Sequence, residues 1–141
     1  MRRFATVACL AACACAAAHA AQWAPVRSSD TVSLMVDPAS VARKGDQVTL
    51  KYLIEYARPQ RDMQRQLVYR STVVKATVRC KARTLSLGNS ELYTGPRAAG
   101  VLIATAVPNS RERAFTPIEK GTSDEDVWRH VCESPAKKPP A

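Results

Sequence analysis

Side chains able to carry chemistry are few in this 141-residue chain, and they are poorly placed to cooperate. Its two histidines are His19 and His130, and His130 stands two residues before Cys132. A histidine base needs a nucleophile within reach, and no residue pattern here supplies one. No nucleophile elbow is present, and no Gly-rich phosphate loop follows a strand pattern. Ser134-Pro135-Ala136-Lys137 has the letters of a Ser-x-x-Lys nucleophile. It lies in a proline-rich tail without the partner motifs of that chemistry, so it reads as chance. Asp124-Glu125-Asp126 is not spaced as a calcium loop and fits instead the positive end of a helix dipole. His130 and scattered carboxylates make no zinc set once Cys80 and Cys132 are joined. The sequence therefore predicts no catalytic residue, no cofactor, no metal and no enzyme.

The cysteines point to a compartment. Met1-Arg2-Arg3, an apolar run from Phe4 to Ala18, and Ala18-His19-Ala20 have the three parts of a secretory leader, too short to remain as a membrane span. Leader 1–20, a single domain 21–134 and a Pro/Lys tail 135–141, taken as disordered, are expected. A second reading stays open: Leu10-Ala11-Ala12-Cys13 resembles a lipoprotein box, which would anchor the chain through lipid on Cys13. The first reading gives a soluble protein of the periplasm or exterior, the second an outer-membrane one. Of five cysteines only Cys80 and Cys132 follow the leader. In an oxidising compartment they read as one disulfide, with two separate buried thiols as the alternative.

Charge narrows the partners. The formal charge is +9, and removing Arg2 and Arg3 from the 21 basic side chains leaves 19 against 12 acidic, or +7. Nucleic acid is not an expected partner outside the cytoplasm. Polyanions of the envelope, sulfated glycans and acidic proteins are available there. Lys51, Lys75 and Arg79 fall on the outward parity of adjacent strand patterns, and Arg58, Arg61 and Arg65 crowd the polar stretch between them. These six form a candidate contact surface; the competing reading is charge that discourages edge pairing or simply keeps the surface solvated.

Strand patterns dominate the elements that would position them. Gln22 to Val26 is an extended lead-in in which Pro25 forbids a helix, and Trp23 is expected to plug an edge of the core. Thr31–Val36 reads as a strand stopped by Asp37-Pro38-Ala39-Ser40. After a turn at Arg43-Lys44-Gly45-Asp46, Gln47–Tyr56 alternates strictly, with Val48, Leu50, Tyr52, Ile54 and Tyr56 on one face. Ala57–Gln66 reads as a long exposed connection. Leu67–Arg83 is a strand that slips phase near Ser71, where a bulge is expected. Thr84–Leu87 follows, broken at Gly88-Asn89 and resumed weakly at Glu91–Thr94. Val101–Val107 is apolar throughout, which predicts a central strand. Ser110–Gly121 reads as loop, with Phe115 and Ile118 against the sheet. Ser123 is expected to cap a helix carrying Val127, Trp128, Val131 and Cys132 on one stripe. The fold class is α+β: one antiparallel sheet of five to six strands, a C-terminal helix on one face, and one disulfide.

These pieces together resemble the surface-adhesin protein E family of Gram-negative bacteria. The resemblance rests on Trp23, on Asp37-Pro38-Ala39-Ser40, on Arg43, Gly45 and Asp46, and on Tyr69-Arg70-Ser71. It continues through Cys80-Lys81, Arg83, Tyr93, Gly100, Gly121-Thr122-Ser123 and Cys132, nearly the whole chain after the leader. It implies the same sheet-and-helix fold, a Cys80–Cys132 bond, a place in the envelope, and contact with host extracellular-matrix or serum proteins. The matched positions are turns, caps and the disulfide, so no binding residue is carried across. The alternative function is a periplasmic module that holds a small or lipid-like ligand, or an envelope partner, between helix and sheet. Oligomeric state stays open, a dimer included.

Overall fold

A computed structural model describes residues 21–133. The expected leader with Cys13 and the expected cleavage site, and the tail with Ser134, lie outside the described residues. Eight strands make one antiparallel sheet: β1 (Ala24–Ser28), β2 (Val32–Val36), β3 (Ala42–Lys44), β4 (Gln47–Asp62), β5 (Leu67–Arg79), β6 (Thr84–Tyr93), β7 (Leu102–Ala106) and β8 (Thr116–Pro117). The order across the sheet is β1-β2-β4-β5-β6-β7, with β3 on β4 and β8 on β6. This exceeds the five to six strands expected. The additions are β1, where Pro25 suits an edge strand, and the short β3 and β8, whose few residues show no periodicity of their own.

The alternation of β4 produces the helix-side face of the sheet. Val48 stands opposite Val78, Leu50 opposite Ala76 and Tyr52 opposite Val74. These side chains join Leu34, Val36 and Leu85 in the main core. Helix α1 (Ser110–Arg113) is a single turn, and α2 (Ser123–Trp128) continues as a wider turn through Arg129–Glu133. Val127 and Val131 of that helical segment are buried in the same core. A helix this short has no stability alone, so the packing holds it. The opposite face also buries apolar side chains: Leu53, wholly buried, lies opposite Val73, itself 6 % exposed.

Several local expectations are corrected. Ala57–Gln66 is no simple connection, because β4 runs on to Asp62 and returns through a tight turn into β5. The irregularity expected at Ser71 is there, but its extra residues belong to β4: Glu55 pairs Ser71 and Gln60 pairs Tyr69. Arg70 turns back to donate to the carbonyls of Tyr56 and Ala57 at 3.4 and 3.3 Å, satisfying acceptors that the bulge removes from the ladder. Gly88-Asn89 does not break β6. It is a bulge opposite Lys75, where a Cβ on Gly88 would come within 3.1 Å of the Lys75 Cβ. β7 is at the end of the sheet order, not central, with Val101, Leu102 and Val107 exposed at its ends. An apolar run alone does not distinguish a buried strand from an uncovered edge. Ser110–Gly121 is not all loop: Asn109, just before it, and Glu112 form a reciprocal capping box that starts α1. Thr122, one residue before the expected Ser123, caps α2 and accepts from the Glu125 amide.

Candidate functional site

The C-terminal segment is fastened where β5 ends. Cys80 and Cys132 form the disulfide, with Cα atoms 5.6 Å apart. The Trp128 indole donates to the Cys80 carbonyl at 3.1 Å, and the Arg83 guanidinium lies 4.2 Å over the Trp128 ring. Arg83 also pairs with Glu125 at 3.0 Å, and Arg43 donates to the carbonyl of Val131. Glu125 accepts the Gly121 amide at 2.8 Å, and that bond, with Arg129 and Arg83 beside it, holds its carboxyl below the ordinary value despite partial desolvation. Burial pushes neighbouring Asp124 upward. Tyr52 is pushed up strongly by burial, then by the charge of Asp124 and by Tyr56. These groups lock helix to sheet, with the Glu125 carboxylate shared among the Gly121 amide, Arg83 and Arg129.

The outward face of the sheet is different. Lys51 and Lys75 stand directly opposite each other, and Arg79 follows on the same face of β5, its guanidinium 3.8 Å over Phe115. The phenyl ring thus occupies one of the three cations. Beside the lysines a cavity of about 390 Å³ is walled by Trp23, Val73, Tyr93, Ala98 and Ala99. Trp23 therefore serves this face and is not part of the helix-side core cluster. The Tyr93 hydroxyl donates to Glu91 at 2.8 Å, and burial followed by that bond raises its pKa. Ser71, wholly buried, donates to the Gly95 carbonyl at 2.6 Å and accepts from the Ala98 amide at 3.0 Å, fixing the loop that closes the cavity.

Arg58, Arg61 and Arg65 lie apart from that face. β2 pairs with β4 only as far as Tyr56, and β6 pairs with β5 only as far as Ser71. Residues 57–70 therefore form a two-stranded arm beyond the sheet. Arg58 is in its bulge, Arg61 pairs in register with Val68, and Arg65 sits in the tip 3.9 Å from Asp62. Met63 at the tip is 67 % exposed. The root of the arm is braced by Tyr56 and Tyr69, edge to face at 5.8 Å. The six predicted basic residues thus divide into two places, the sheet face and the arm.

Residues 23–133 match the family described as surface-adhesin protein E. The chain belongs to that family. The structure is similar to that of Haemophilus influenzae protein E, with a TM-score of 0.57 and 12 % identity over 79 % of this chain and 83 % of that one. Protein E from non-typeable Haemophilus influenzae gives a TM-score of 0.56 and 13 % identity, covering 77 % of this chain and 75 % of its own. The selenomethionine form of Haemophilus influenzae protein E gives 0.55 and 13 %, covering 72 % and 79 %. At such identities the likeness is one of fold. No curated protein matches the sequence. Among the described residues no helix is long and apolar enough to cross a membrane.

The cavity wall was the part of the site that sequence reasoning missed. Trp23, Val73, Glu91, Tyr93 and Arg97 come from separate strands and loops, and only sheet register brings them together. The one signal available was Val73, an apolar residue on the outward parity of its strand.

Proposed function

We propose that this chain is an exported, non-enzymatic surface protein that binds extracellular-matrix or serum proteins of a host through the arm of residues 57–70. The observation that carries this reading is the arm itself. It projects past the last pairing of β2 and β6, and it presents Arg58, Arg61 and Arg65 exposed; among the described residues, of these three only Arg65 pairs with a carboxylate. Arginine forks pair with carboxylate and sulfate in two-point geometry, which suits acidic segments of a large partner that could not enter a cleft. Membership of a surface-adhesin family supports the same reading. The test is retention of the oxidised protein on immobilised vitronectin and laminin in physiological salt. The protein is retained, and Arg58→Ala/Arg61→Ala/Arg65→Ala with an unchanged melting curve is not. Loss of the protein from intact cells under added protease accompanies this function; complete protection places it in the periplasm and removes the proposal.

A further inference from the structure

Adhesion by the arm leaves the paired lysines of the sheet face without a role. Lys51 on β4 and Lys75 on β5 are direct cross-strand partners. Like charges in that position repel and weaken the sheet. Protection of an edge does not account for them, since β4 and β5 are interior strands flanked by β2 and β6 and such charges belong on edges. Among the described residues neither lysine makes an ion pair. Both open instead onto a hollow of about 60 Å³ completed by Asn89, Thr105, Val73 and Glu91. Through Lys51, Val73 and Glu91 that hollow adjoins the cavity of about 390 Å³ walled by Trp23, Tyr93 and the Ala98-Ala99 loop. The small hollow has room for a few waters or one compact head group. The larger one falls in the size range of small-molecule sites, and its wall is mainly apolar.

We infer that this face binds a small anionic amphiphile, a carboxylate, sulfate or phosphate head held between Lys51 and Lys75 with its apolar body along Val73, Trp23 and Tyr93. The site is on the opposite side of the sheet from the helix, where Val127 and Val131 fill the interior. Glu91 is engaged by the Tyr93 hydroxyl; Asp37, whose amide donates to the Lys51 carbonyl at 3.0 Å, lies outside the small hollow and its side chain accepts from the Ala39 amide. One carboxylate beside two ammonium groups leaves the head pocket positive, and the bound anion removes the repulsion between the lysines. The inference stands apart from adhesion and uses none of the arm residues.

Calorimetric titration of the oxidised protein in physiological salt tests it. Decanoate and decyl sulfate bind saturably, one per chain; decyltrimethylammonium does not bind, and inorganic phosphate binds at least tenfold more weakly for want of a tail. Lys51→Gln/Lys75→Gln weakens decanoate about tenfold or more while the melting temperature stays level or rises. Trp23→Ala weakens decanoate without changing phosphate. Co-sedimentation with phosphatidylglycerol vesicles assigns the source: retention abolished by the lysine variant marks a lipid head, and no retention marks a free amphiphile. Equal binding of the cationic and anionic probes, no saturable heat, decanoate affinity unchanged in the lysine variant, or a lowered melting temperature in it overturns the inference.

Discussion

Replacing both cysteines, Cys80→Ala/Cys132→Ala, removes the covalent staple without leaving a reactive thiol. The bond closes a loop with 52 residues of sequence separation. In the chain-entropy treatment a closure of that length stabilises the native state by about 4 kcal/mol, through restriction of the unfolded chain. For a domain of this size such a loss lowers the melting temperature by roughly 15 °C. The folded state keeps its other fastenings: Val127 and Val131 in the core, the Trp128 bond to the Cys80 carbonyl, and the Arg83–Glu125 pair. The variant should therefore fold with a native near-ultraviolet spectrum and unfold at lower urea. Its m-value should be equal or slightly larger, because the unfolded chain is more expanded. A loss below about 1 kcal/mol, far under the closure estimate, would refute the entropic account. So would a native state in which Trp128 is already exposed, since the bond would then be a tether for a helix that packing cannot hold.

Two further outcomes follow from burial and charge. Leu50→Ala in the helix-side core and Leu53→Ala on the opposite face should each cost about 2–5 kcal/mol in urea unfolding, since both side chains are essentially inaccessible; a near-neutral Leu53→Ala would show that the outward face has no apolar layer of its own. Glu125 has its folded pKa below the ordinary 4.5, so it contributes stability that is present above that value and is lost as pH falls through the folded one. Asp124, raised by burial, runs the other way, taking up its proton first in the folded state and partly offsetting the loss. Stability of the wild type measured below pH 4.5 should therefore fall more steeply than that of Glu125→Gln; equal acid slopes would remove Glu125 from the account.

Much of the frame is legible in the residues because burial wrote it there. The alternation from Val48 to Tyr56 and the stripe Val127, Trp128 and Val131 each have one physical reading, and the structure contains both; of the two readings open to Cys80 and Cys132, it contains the disulfide. Polar segments are less informative. Ala57–Gln66 carries no apolar period, yet it is half strand, because pairing within the arm and the bonds from Arg70 supply what side-chain burial does not. Gly88-Asn89 gives the same signal whether a strand ends or merely bulges. The run at Leu102–Ala106 shows the opposite failure, being apolar yet at the margin of the sheet. Lys51 and Lys75 were readable as outward residues of neighbouring strands. That they face each other in the interior of the sheet, beside a cavity, depends on register, which one sequence does not state.

Amide hydrogen exchange on the oxidised protein, free and saturated with a retained matrix or serum protein, tests the central reading most directly. Slowed exchange across residues 57–70, with the helix and the remaining sheet unaltered, is the predicted footprint. Protection confined to other strands or to the helix, with the arm exchanging as in the free protein, would contradict it.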